Sequence, residues 1–176
     1  MRHLLWTILL ASGLVWGQAH LSENESQHRP DPTAVLPLPS AQDFSNDAKM
    51  VRDRGLPMML AVVTRECGYC TLLKNEFIRP MIISGDYVDK VIIRTLDISR
   101  DDDVTDFNGA AISPEDFASN RGVIVTPTVL FLDDKGKELQ PRMIGINTID
   151  YYGAYLDEAI DKSRAVLRSR PGIARK

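Results

Sequence analysis

Met58-Met59-Leu60-Ala61-Val62-Val63 is an unbroken apolar run that leads, three residues later, into Cys67-Gly68-Tyr69-Cys70. A continuous apolar run of this length reads as a strand buried on both faces, which requires a sheet covered by helices on both sides. The two cysteines are the only ones in the chain. A strand feeding a Cys-x-x-Cys that opens a helix is an arrangement for thiol–disulfide exchange. The helix N-terminus carries partial positive charge and unpaired N–H groups, which favour a thiolate at Cys67. Cys70, one turn on, is placed to attack a mixed disulfide and release the bound partner.

Other uses of two cysteines fit poorly. A structural zinc site takes four Cys or His ligands, and His3, His20 and His28 all precede the expected folded domain. Covalent haem attachment needs a histidine where Thr71 stands. A cysteine hydrolase needs a base, usually histidine, that the domain does not offer. A purely structural bridge would close so short a loop that it constrains the unfolded chain very little.

The chain opens with Met1-Arg2-His3, an apolar stretch from Leu4 to Val15, and Gly17-Gln18-Ala19. A basic start, short apolar core and small-residue exit predict an export signal over residues 1–19. The apolar stretch is short of the about 20 residues a membrane span needs, so stable membrane insertion is not expected. Its removal takes away Arg2 and moves the formal net charge from −3 to −4. A lightly acidic chain has no nucleic-acid footprint. Export places the protein where disulfides persist, yet two cysteines make a catalytic pair rather than a framework.

Residues 20–39, polar and then punctuated by Pro30, Pro32, Pro37 and Pro39, read as a disordered linker. A folded domain is expected over 40–168, with a flexible tail over 169–176. Ser40 is the expected N-cap of a helix reaching Arg54. Strand Met58–Thr64, a helix from Cys67 to about Ile78 ended or kinked by Pro80, and a strand within Val88–Ser99 follow. Arg100–Ile112 is a polar insert with a hairpin-turn signal at Asn108-Gly109. Ser113-Pro114-Glu115-Asp116 starts a helix that Gly122 closes. Strands Thr128–Leu132 and Glu138–Ile146 flank the turn 133–137, and Pro141 puts the second at a sheet edge. Asn147 or Thr148 caps a last helix to about Leu167, with Tyr152, Tyr155, Leu156, Ala159, Ile160 and Ser163 on its packing stripe. This order predicts an α/β domain with a central mixed sheet flanked by helices.

Cys67-Gly68-Tyr69-Cys70, then Val125-Thr126-Pro127-Thr128, then Met143-Ile144-Gly145 before the last helix resemble the thioredoxin family over roughly Ser40–Leu167. The resemblance is closest to secreted bacterial thioredoxin-like proteins and implies a periplasmic location. It implies that Cys67 is the exposed nucleophile, Cys70 the resolving thiol and Pro127 a cis proline. Thr126 would pair with a substrate strand through its backbone, and Gly145 would line the same groove. Tyr69, where thioredoxins carry proline, is a candidate substrate contact or an exposed ring covering the motif. Glu66 stands where thioredoxins carry tryptophan, and is a candidate modulator of the Cys67 thiol or a solvated surface carboxylate. Ala61 occupies the position of the family's buried acid, so Glu66 or water must take the proton from Cys70.

The implied activity is a protein-disulfide reductase that needs no cofactor beyond the cysteine pair and is recharged by a membrane electron donor. A carboxylate beside Cys67 disfavours the thiolate and makes the couple more reducing. A disulfide oxidase or isomerase, or a binding module with a non-catalytic cysteine pair, are the alternatives.

Overall fold

The computed structural model describes residues 37–170. The expected export signal, most of the expected linker and the end of the tail lie outside the described residues.

Strand β1 (Met58–Val63) is buried at every position and occupies the middle of the sheet. On one side it pairs in parallel with β2 (Ile92–Asp97), Met58 opposite Ile92 and Val63 opposite Asp97. On the other it pairs antiparallel with β5 (Thr128–Leu132), which in turn carries the two-residue edge strand β6 (Met143–Ile144). The order β2-β1-β5-β6 is the mixed sheet expected of a thioredoxin fold.

Side chains of a strand alternate between faces, and β1 divides them between two cores. Met58, Leu60 and Val62 meet Phe44 and Val51 of helix α1 (Phe44–Arg54) and Phe117 of helix α4 (Pro114–Asn120). Met59, Ala61 and Val63 meet Cys70 of α2 (Gly68–Leu72) and Tyr152, Leu156 and Ile160 of α5 (Ile149–Arg168). Each fully buried large side chain contributes about 1.5–3 kcal/mol, so β1 alone anchors both layers. Leu60→Ala would leave a cavity costing about 2–5 kcal/mol.

Several local expectations need correction. Ser40 does not cap α1: it bridges to Thr95 at the edge of β2, and Asp43 caps instead, its carboxylate accepting from the Asn46 N–H at 3.0 Å. A cap must sit directly before the first helical residue, and the edge pairing of 39–41 delays that by three positions. Pro39 already accepts from the Thr95 N–H at 2.8 Å, so the last residue of the expected linker is tied to the sheet.

Of the two outcomes expected at Pro80, an end or a kink, the helix does not end. Residues Leu73–Ile78 form a π-helical turn, with the Arg79 N–H bonded back to Lys74 O, and α3 (Arg79–Ser84) continues beyond it. The wider turn absorbs the missing proline N–H and the bulk of its ring. The expected strand Glu138–Ile146 shrinks to β6 and one bridge, Leu132 to Glu138. Pro141 cannot donate to a ladder, and the chain leaves the sheet around it. The insert does form a hairpin, β3 (Val104–Thr105) against β4 (Ala111–Ile112). Its Phe107 ring stacks on Phe44, and a Cβ on Gly136 would come 2.7 Å from that ring. Gly136 also has φ +73, so glycine is required there twice over.

Two ionic contacts were not expected. Arg94 of β2 grips the buried Asp47 of α1, Nη2 to Oδ1 at 2.7 Å and Nε to both carboxylate oxygens at 3.0 and 3.1 Å. Arg170 binds the buried Asp133 just after β5, so the first residues of the expected flexible tail are tied down. Tyr155, expected on the packing stripe of α5, is 49% exposed, because the stripe narrows to Tyr152, Leu156, Ile160 and Ser163. Among the described residues no helix is long and apolar enough to cross a membrane.

Candidate functional site

Leaving β1, the chain turns through Thr64-Arg65-Glu66 and enters α2 at Cys67. The Arg65 N–H donates to Ser99 Oγ at 3.2 Å, and its guanidinium donates to Ser99 O at 2.9 Å. Ser99 is itself fixed by Asp97, whose Oδ1 accepts from its N–H at 2.9 Å and its hydroxyl at 2.5 Å. The end of β2 therefore braces the turn that delivers the cysteines. Neither Arg65 nor Ser99 was singled out in the sequence, since nothing local marks a contact 34 positions apart.

Cys67 is the N-cap of α2, with extended backbone (φ −135, ψ 108), and its Sγ accepts from the Cys70 N–H at 3.1 Å. An N-cap acceptor satisfies one of the orphan donors of the first turn; here sulfur does so, directly in the positive end of the helix. Cys67 and Cys70 form a disulfide with Cα atoms 5.1 Å apart. Cys70 is fully buried in the core shared with Met59 and Leu156, whereas Cys67 is half-buried. The asymmetry leaves one sulfur approachable and one sealed.

The Thr126–Pro127 peptide bond is cis. Cys67 Sγ lies 3.7 Å from Thr126 O, across 59 positions of sequence. Pro127 is buried, and its carbonyl accepts from the Gly145 N–H at 2.8 Å. Thr128 Oγ1 donates back to Val125 O at 2.7 Å. Gly145 has φ +65, and a Cβ there would meet nothing closer than Asn147 Oδ1 at 4.0 Å. Backbone conformation, not space, is the reason for glycine at that position. The structure thus brings Cys67, Cys70, Thr126, Pro127 and Gly145 to one place.

Tyr69 lies beside the disulfide, 63% exposed. Glu66 is exposed and, among the described residues, makes no hydrogen bond or ion pair. A Cβ on Gly68 would meet nothing within 4 Å, so the space over the motif is open. Three exposed apolar side chains adjoin these residues along the chain, Ile124 and Val125 directly before Thr126 and Ile144 directly before Gly145. Ile124 is 92% exposed, and Val125 and Ile144 are also exposed. Ile124 and Val125 form an apolar pair directly before Thr126-Pro127, but exposure is not legible from residue type. Exposed apolar side chains gathered round a reactive group mark a contact surface. Among the described residues no group of three or more Cys, His, Asp or Glu converges as a metal site would require.

Residues 44–160 match the family model described as a thioredoxin-like domain. In structure the chain is similar to a poplar thioredoxin h mutant, with 18% identity, coverage of 81% of this chain and 94% of that one, and a TM-score of 0.50. It is similar also to thioredoxin from Fasciola hepatica, with 17% identity, 72% and 99% coverage, and a TM-score of 0.49. At such identities the likeness concerns the fold. No curated protein matches the chain in sequence.

Proposed function

We propose that this chain, which belongs to the thioredoxin-like family, is a thiol–disulfide oxidoreductase that reduces disulfides of partner proteins outside the cytosol. One observation carries the reading. A half-buried Cys67 sulfur caps α2, is bonded to the sealed Cys70, and lies 3.7 Å from Thr126 O beside a cis proline. That places the exchangeable sulfur against backbone acceptors to which an extended partner segment can pair.

The reaction starts from the dithiol form. The Cys67 thiolate attacks one sulfur of the partner disulfide, an S–S bond forms between them, and the other partner sulfur leaves as a thiolate. Cys70 loses its proton to solvent and attacks Cys67 Sγ, closing the Cys67–Cys70 bond and expelling the first partner sulfur. Solvent protons complete both partner thiols, so two electrons and two protons pass to the partner. Ala61 is buried at the centre of the sheet and offers no base. Glu66 is at the surface, which favours water as the proton acceptor for Cys70.

Thr126 supplies the pairing backbone, Pro127 shapes it, Gly145 holds it, and Tyr69 covers the partner segment. No cofactor takes part. The oxidised pair is recharged by a dithiol donor, for which a membrane protein suits an exported enzyme. The basic start and apolar stretch of residues 1–15 support export, and the family resemblance supports a periplasmic setting. N-terminal sequencing of the mature protein should begin after Ala19.

The reduction potential against glutathione tests the direction. A reductase should lie near the about −270 mV of thioredoxins; a value near about −120 mV would make the protein an oxidant. No exchange with any disulfide would reject the oxidoreductase reading.

A further inference from the structure

Thr64-Arg65-Glu66 separates the last residue of β1 from Cys67. This short turn decides where the exchangeable sulfur sits, because Cys67 meets two demands at once. Its Sγ accepts from the Cys70 N–H at 3.1 Å and lies 3.7 Å from Thr126 O. Both distances depend on the direction in which the turn releases the chain.

The sheet reaches into this turn. Val63 O accepts from the Ile98 N–H at 2.9 Å, where β1 and β2 run out side by side. Evenly spaced parallel bonds would next join the Arg65 N–H to a carbonyl. Ser99 Oγ takes that place, accepting at 3.2 Å. The same hydroxyl donates to Asp97 Oδ1 at 2.5 Å, and that oxygen also accepts from the Ser99 N–H at 2.9 Å. A hydroxyl that accepts and donates together joins a polarised chain whose members strengthen one another. Asp97 is the residue of β2 paired with Val63, so the chain of bonds closes on the ladder it left. The Arg65 guanidinium adds a second arm, Nη2 to Ser99 O at 2.9 Å. Arg65 thus ties the turn to the sheet twice, by backbone and by side chain. Arg65 and Ser99 are both exposed, so the brace can be altered without opening either core.

We propose that Arg65 is a positioning residue for disulfide exchange: clamped to Ser99 through its backbone and its guanidinium, it aims the turn so that Cys67 Sγ stays on the end of α2 and against Thr126. On the helix end the Cys67 thiolate accepts from the Cys70 N–H and faces the positive pole, so a loosened turn leaves the thiolate less stabilised. Against Thr126 the sulfur meets a disulfide already paired to the backbone, where a misplacement of about 1 Å costs up to about 10²-fold in rate. This role deepens the reductase reading and rests on it for the exchange step, whereas the effect on the thiolate stands on the geometry alone.

The test compares Ser99→Ala, which removes the hydroxyl and keeps the Arg65 charge, with Ser99→Thr, which restores the hydroxyl. Labelling of the reduced full chain by iodoacetamide, followed against pH, reads the Cys67 thiolate. In Ser99→Ala the pH of half-maximal labelling should rise by at least about 0.5, which slows labelling about threefold below the midpoint. Ser99→Thr should return most of that shift. Arg65→Met should move the midpoint in the same direction, and the shift should persist in about 1 M salt, where charge effects reach only about 3 Å. Thermal unfolding should hardly change in any of them. With insulin as the protein disulfide, Ser99→Ala should lower kcat about three- to tenfold and hold KM within about twofold, because the apolar contact residues are untouched. An unchanged labelling profile in Ser99→Ala, a shift that Ser99→Thr leaves in place, a shift in Arg65→Met that vanishes with salt, or a raised KM at constant kcat would overturn the role of Arg65. Should Ser99→Ala fail to fold, Arg65→Met in salt decides alone. If the parent chain reduces no disulfide, the reductase reading fails and labelling still decides the brace; if the parent reduces insulin and the labelling profiles coincide, the brace fails and the reading stands.

Discussion

The two ends of the sheet use the same device for opposite purposes. At one end β1 delivers Cys67, whose sulfur accepts from the Cys70 N–H. At the other, β5 delivers Asp133, whose Oδ1 accepts from the Lys135 and Lys137 N–H groups at 2.8 and 2.9 Å. Both side chains satisfy backbone donors where a strand ends. Asp133 is then sealed, 1% exposed, with its other oxygen held by Arg170. Cys67 is left half-open, two residues from the exposed Tyr69 and against Thr126, which follows the exposed Ile124 and Val125. The difference teaches where stability and reactivity are kept apart. A capping group that is buried and fully partnered anchors the chain, whereas one left open, with exposed apolar neighbours, can exchange partners.

The largest expected break in this comparison is chemical. Cys67→Ser should abolish protein-disulfide reduction, a loss of at least about 10³-fold, or about 4 kcal/mol of barrier. The serine oxygen can still cap α2, so thermal unfolding of the reduced forms should hardly differ. Cys70→Ser should trap partners as mixed disulfides through Cys67, resolved on non-reducing gels; adducts from Cys67→Ser instead would reverse the roles.

Next comes the closed end. Asp133→Ala leaves Arg170 and two turn N–H groups without their acceptor. It should cost about 3–5 kcal/mol in denaturant unfolding while leaving the reduction potential unchanged. A matching change in potential would mean that the two ends are coupled.

The same residue predicts a pH dependence. Burial alone would raise the Asp133 carboxyl, but the hydrogen bond from Arg170 and the Lys137 and Lys135 N–H groups outweigh it and hold the group below its ordinary range. A depressed folded value means the stabilisation is present above the unfolded value of about 3.9 and is lost as pH falls through the lower folded value. Acid unfolding of the native chain should therefore steepen below about pH 4, and Asp133→Asn should flatten it.

Smaller effects sharpen the open end. Ile124→Ser removes an apolar side chain that packs on nothing in the free protein, so stability should stay within about 0.5 kcal/mol. The KM for a protein disulfide should nevertheless rise, by about three- to tenfold for a contact worth about 1 kcal/mol. Unchanged KM would take Ile124 out of the contact surface. Glu66→Gln should make the couple more oxidising, because a carboxylate near Cys67 disfavours its thiolate. Glu66 faces water, where screening leaves a few tenths of a kcal/mol, so the shift should stay under about 15 mV. A shift toward more reducing values would reverse the sign of the argument.

Short-range rules made much of this molecule readable in advance. Continuous burial along Met58–Val63, the Ser113-Pro114 helix start, the Asn108-Gly109 turn and the cysteine pair each depend on residues within a few positions of one another. The Thr126-Pro127 step was legible by resemblance, not from the local residues. Expectations failed where a distant contact outweighed the local preference. Ser40 was drawn to β2 in this way; at Pro141 the reason is local, since a residue without an N–H cannot extend the ladder and the chain leaves its sheet there.

By itself, then, the sequence determined that a buried central strand would hand two cysteines to the start of a helix, because strand burial and helix capping are local matters of side-chain pattern and backbone donors. Only the tertiary structure decided what faces those cysteines. The approach of Thr126 to Cys67, the brace from Ser99, the exposure of Ile124, the Asp133–Arg170 lock and the orphan hydroxyl of Tyr152 all depend on how the layers close. Each is a contact, or a missing contact, between groups brought together by packing, and no spacing along the chain encodes it.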